Sequence, residues 1–110
     1  MAQNFRQQKT ASIGTSDTAM GSGNLDSFDC IVGIRLANRH TQSITATVWL
    51  KNSSNDFYLV KDAPIPAGSS LELIDGGAKV VAISGDRLYV KSNTASSLDC
   101  IVSIVDAIST

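Results

Sequence analysis

The sequence predicts an all-β chain: a single antiparallel β-sandwich of about seven or eight strands, with an extended N-terminal arm. Three observations carry this. Apolar and polar residues alternate with period two through most of the chain after residue 27. The alternating runs are joined by turns of three to eight residues, too short for crossover helices. One Glu in 110 residues, against 15 Ser and 8 Thr, leaves little material for exposed amphipathic helices. The length fits one small domain, spanning 28–110, with the arm at 1–27.

The arm comes first. Its apolar residues, Phe5, Ile13, Met20 and Leu25, keep no strict period, and Thr15 to Asn24 is rich in small loop formers. So few apolar groups do not offset the entropy of ordering some twenty residues on the domain's own surface. The arm is therefore expected to order against neighbouring subunits, through those four residues, with Gln7 to Ile13 adding a strand to a partner's sheet. Arg6 and Lys9 are balanced by Asp17 and Asp26, so it is no basic tail.

Phe28, Cys30, Val32, Ile34 and Leu36 then share one face of a strand, closed by a turn at Ala37 to Gln42. Ile44, Ala46, Val48 and Leu50 share a face of the next, with Thr45, Thr47 and Trp49 opposite. The polar connection Lys51 to Asp56 leads into a short strand, Phe57 to Lys61. Ala63 to Ser70 reads as a crossing loop, since Pro64 and Pro66 each lack a ladder donor. Leu71 to Ile74 and Lys79 to Ile83 pair across the turn Asp75-Gly76-Gly77. Arg87 to Lys91 and Leu98 to Ile108 complete the set. The expected core is Val32, Ile34, Val48, Leu59, Leu73, Leu88, Val102 and Ile104. Phe28 to Ile34 is echoed by Leu98 to Ile104, as two long strands in similar surroundings.

The inventory points away from catalysis, cofactors and metals. His40 is the only histidine and falls in a turn, and no Gly-x-Ser-x-Gly motif accompanies it. The aspartates gather at turns, where their side chains bond nearby amides. Asp75 and Asp86 lack the spacing of a calcium loop, and Gly21-Ser22-Gly23 lacks the rest of a phosphate cradle. A formal net charge of −1 removes the case for nucleic acid as partner, and no apolar run is long enough for a membrane span. The N-terminus has no apolar core of a secretion signal, so synthesis without export is expected, with Cys30 and Cys100 as reduced, inert thiols. Trp49 and Tyr89 read as interface residues, packing on a neighbouring subunit or under a loop; stacking on a host carbohydrate is the alternative.

The stretch Phe57-Tyr58-Leu59-Val60-Lys61-Asp62-Ala63-Pro64-Ile65-Pro66-Ala67-Gly68-Ser69-Ser70-Leu71 brings a family into view. With Ser84-Gly85-Asp86 and Val90-Lys91-Ser92-Asn93-Thr94-Ala95-Ser96-Ser97-Leu98-Asp99, it resembles the small virion structural proteins of tailed bacteriophages, of the marine and cyanobacterial phage type. The resemblance spans roughly residues 28–106 and departs from the family at Cys30 and Cys100, where aliphatic residues are usual. It implies a homo-oligomeric virion component made in the host cytoplasm, a head decoration protein on the capsid. Its partners are then the major capsid protein or neck and tail proteins. A neck, head–tail junction or baseplate accessory is the other placement. Pro64, Ile65 and Pro66 join Trp49 and Tyr89 as expected interface residues.

Overall fold

The computed structural model describes residues 4–21, 25, 29–74 and 80–106. Nine strands lie within them: β1 (Asn4–Ile13), β2 (Thr18–Ala19), β3 (Cys30–Asn38), β4 (Ile44–Asn52), β5 (Asn55–Ile65), β6 (Ser70–Glu72), β7 (Val80–Val81), β8 (Arg87–Ser92) and β9 (Leu98–Asp106). They form two sheets, and every pairing is antiparallel. One sheet runs β1-β9-β3-β6, with β7 beside β6 on the same edge of β3; the other runs β2-β8-β4-β5. The sheets pack face to face as a β-sandwich, with no helix among the described residues.

The core lies where the alternation places it along β4, β8 and β9. Ile44, Ala46, Val48 and Leu50 meet Leu88 and Val90 from their own sheet, and Leu98, Cys100, Val102 and Ile104 from the other. The two echoed segments are neighbours: β3 and β9 lie side by side, with Ile34 opposite Val102 and Leu36 opposite Cys100.

Bulges set the main departures from strict alternation. In β3, Ile31 pairs with Ile104 and Gly33 with Ser103, so Val32 is an extra residue that reverses the strand's parity. Ile31, Ile34 and Leu36 are consequently fully buried, and Val32 only half-buried. In β5, Val48 is opposite Val60 and Trp49 opposite Tyr58, which makes Leu59 the extra residue, 37% exposed rather than in the core. Leu73 packs partly buried against the core margin. The segment expected to be a crossing loop is mostly strand: β5 continues through Ala63-Pro64-Ile65. Pro64 is tolerated because β5 is an edge strand. Only Pro66 to Ser69 turns, where Gly68 takes φ 70° and the Ser69 N–H donates to the Pro66 carbonyl at 3.2 Å.

The N-terminal segment differs most from expectation. Asn4–Ile13 pairs with Leu98–Asp106 of its own chain, from Asn4 opposite Asp106 to Ile13 opposite Leu98. The chain then crosses to the other sheet, where Ser92 N–H donates to Gly14 O at 2.8 Å and Met20 N–H to Leu88 O at 2.8 Å. Ile13, Met20 and Leu25 are buried in the intramolecular core, and Phe5 alone of the four is solvent-facing, at 82%. The segment is a strand and strap of the sandwich, not an arm awaiting a neighbour. The entropy of ordering is offset because its apolar groups enter the core and its backbone joins two sheets. The Asp75-Gly76-Gly77 turn, Phe28, and the extension to Ile108 lie outside the described residues.

Candidate functional site

Two surfaces carry the chain's unusual side chains. The first is the outer face of the β2-β8-β4-β5 sheet. Period-two geometry points Thr45, Thr47, Trp49 and Lys51 away from the core, opposite to Ile44, Ala46, Val48 and Leu50. Register then places Tyr89 of β8 and Tyr58 of β5 on either side of Trp49. The rings form a ladder across three strands: Trp49 stacks on Tyr89 at 5.6 Å between centroids and tilts against Tyr58 at 5.8 Å. Three ammonium groups stand over the rings, Lys51 over Tyr89 at 5.6 Å, Lys61 over Tyr58 at 5.5 Å and Lys91 over Trp49 at 6.0 Å.

Trp49 itself is only 3% exposed, so it cannot be the free platform or direct contact expected of it. Tyr58, which sequence reasoning passed over, is the open ring, at 52% exposure. Tyr89 is half-buried between Trp49 and Lys51. Asp62, with a positive φ of 52°, marks a second bulge and locks β5 to this face through Thr47, whose Oγ1 accepts from the Asp62 N–H at 3.1 Å.

The second surface is the pair of long sheet edges, β1 on one sheet and β5 on the other, each with a single neighbouring strand among the described residues. β5 exposes Phe57, Tyr58 and Leu59 in succession, and β1 exposes Phe5. An open edge carries unpaired N–H and C=O groups that accept a further strand. Of the Pro64-Ile65-Pro66 trio, the prolines are exposed and Ile65 is fully buried in the core, so Ile65 is no interface residue. Ile65 also anchors the sheets together, its carbonyl accepting from Asn38 Nδ2 at 2.9 Å.

The thiols are far apart. Cys100 lies opposite Leu36, six residues along β3 from Cys30, which is about 20 Å at the rise of a strand. That separation rules out a bond between them, since bridged Cα atoms lie within about 7 Å. Both are buried, and desolvation pushes the Cys100 thiol up to about 12. Cys100 belongs to the core cluster; Cys30, on the far side of the Val32 bulge from the expected face, does not. His40 sits in its turn, its backbone N–H donating to Asn38 Oδ1 at 2.8 Å. Among the described residues no three His, Cys, Asp or Glu side chains gather as a metal site would need.

No family model and no curated protein matches the chain. Among solved structures it is similar in fold to a chain described under the words "Bacillus endospore appendages form a novel family of disulfide-linked pili". The TM-score is 0.60 at 12% identity, over 98% of this chain and 88% of that one, so the two share a β-sandwich with nearly the whole of each chain included.

Proposed function

We propose that the chain is a structural subunit that assembles through its sheet edges, and that its place is the virion of a tailed phage, as a head decoration protein bound to neighbouring capsid subunits. The observation that carries assembly is the pair of long open edges, β1 and β5, with Phe5 and Phe57-Tyr58-Leu59 exposed along them. Proteins that stay monomeric usually blunt such edges. Here the β5 bulges and Pro64 blunt only the second half of the strand, and the first half, Asn55 to Tyr58, stays open. The pairing partner is a virion protein or a second copy of the chain, and the protein acts by binding rather than by catalysis.

Two likenesses support the reading. The resemblance over roughly residues 28–106 supports the phage particle, and the shared fold of a pilus protein supports a sandwich used as a building unit. Gold-labelled antibody against the protein, imaged on intact particles, tests the placement. Labelling over the whole head is the expected result. A single spot at the head–tail junction or tail end moves the protein to the neck or tail, and unlabelled particles overturn the virion reading.

A further inference from the structure

We propose that the outer face of the β2-β8-β4-β5 sheet is a binding site for an acidic polysaccharide, a chain of carboxylated or sulfated sugars lying along β4 across the Tyr58–Trp49–Tyr89 ladder. The inference is independent of assembly through the edges and of placement in a particle.

Charge argues first. Lys51 and Arg87 occupy directly opposed positions on β4 and β8, and like charges placed so are destabilising unless something between them is negative. Lys91 lies two outward rows away, opposite Thr47 on the far side of the Trp49–Tyr89 pair, and Lys61 adds a fourth cation over Tyr58. Asp62 shares a hollow with Lys91, and two ion pairs partly answer the cations: Asp56 lies 3.6 Å from Lys51, and Asp17 lies 4.0 Å from Lys91. These are long, exposed pairs, readily exchanged for a ligand's carboxylate or sulfate. Arg87 also holds the carbonyls of Met20 and Gly21, which fixes its guanidinium on this face.

The remaining chemistry is that of a polyol site. Half-exposed tyrosine rings offer flat apolar surface to the C–H face of a sugar ring. Hollows flank the ladder on both sides, one lined by Thr45, Thr47, Asp62, Lys91 and Asn93, the other by Lys51, Ser53, Arg87 and Tyr89. Hydroxyl, amide and ammonium groups thus alternate with rings along one strand direction. The Trp49 indole N–H is buried in the ladder without an acceptor among the described residues. A buried donor left so is costly. A neutral glycan would leave the Lys51 and Lys91 ion pairs unexchanged.

Trp49 is the chain's single tryptophan, so its fluorescence reports on this face alone. The test titrates the full chain at low salt with an oligogalacturonate, a sulfated oligosaccharide, a neutral cello-oligosaccharide and a single-stranded oligonucleotide. The expected result is a saturating change in Trp49 emission with one or both acidic sugars, weakened by salt. Affinity should fall at least tenfold in the Lys51→Gln/Lys91→Gln variant and in Tyr58→Ser, and hold in Lys9→Gln on the other sheet. Thermal melts confirm that the variants are folded, and the two independent lesions keep the test valid if one is not. No response to either acidic sugar at millimolar concentration overturns the proposal. So does equal binding of the neutral sugar or the oligonucleotide, or unaltered binding by both folded variants.

Discussion

The carboxylate of Asp29, 1% exposed, lies 2.6 Å from the guanidinium of Arg6. Arg6 is in β1 and Asp29 immediately precedes β3, so a charged contact across the sheet ties the first strand to the third. A buried carboxylate is costly without such a partner. Arg6→Ala should therefore lower stability by about 1–3 kcal/mol, and should cost less in an Asp29→Asn background. Urea unfolding of the four members of the cycle measures the coupling. Equal costs in both backgrounds would show that the contact contributes nothing.

The strap that follows β1 yields a second expectation. Ile13 and Met20 are buried at 2% and 0%, and burying each side chain contributes about 1.5–3 kcal/mol. Deleting residues 1–21 removes both, together with the β1 ladder, and should leave the chain largely unfolded at room temperature. Circular dichroism decides. A truncated chain with a near-normal melting temperature would mean that the segment is dispensable to the fold.

Asn38 is 3% exposed and its amide donates to the carbonyls of Gln42 and Ile65, both at 2.9 Å, while its Oδ1 receives the His40 N–H. This one side chain joins β3, the following turn and the end of β5. Asn38→Ala leaves two carbonyls and an amide without it and should cost about 2–4 kcal/mol. Ile34→Ala, a cavity in the fully buried centre of β3, should cost about 2–5 kcal/mol. Denaturant melts that show either variant as stable as the parent would contradict the packing described.

The Cys100 thiol sets an alkaline limit. Its folded value, raised to about 12 by burial, lies above the ordinary thiol value of 9.0. Below pH 9 both folded and unfolded states hold the proton, and the thiol adds no pH dependence. Between pH 9 and 12 the unfolded thiol ionises while the folded one does not, so stability falls as pH rises. At pH 11 the loss should reach about 2–3 kcal/mol, since each pKa unit is worth about 1.4 kcal/mol. A Cys100→Ala variant should lack that component. In the native chain at neutral pH Cys100 should also resist alkylation, and rapid labelling would show that it is accessible.

The reach of the sequence follows from how each segment meets the core. β4, β8 and β9 are legible because their alternation runs unbroken, with every second residue inward. β3 is legible as a strand but misread in parity, because the Val32 bulge inserts a residue with no mark in composition. In β5 two bulges and an exposed edge erase the alternation altogether. Ile13, Met20 and Leu25 enter the core from an irregular strap, at spacings that match no period, so local reasoning assigns them to a neighbour instead. The aromatic ladder is half legible. Trp49 points outward as its parity requires, but its burial depends on Tyr58 and Lys91, brought from β5 and β8 by register.

Assembly through open edges is tested most directly by sedimentation velocity of the full chain and of a Phe57→Lys/Leu59→Lys variant, across concentration. Both residues are exposed on β5, at 57% and 37%, so the fold should survive and the melting temperature should stay within a few degrees. The account predicts concentration-dependent oligomers for the parent chain and monomers for the variant, because charge on an open edge blocks strand addition. A parent that stays monomeric at every concentration, or a variant that assembles as the parent does, would contradict it.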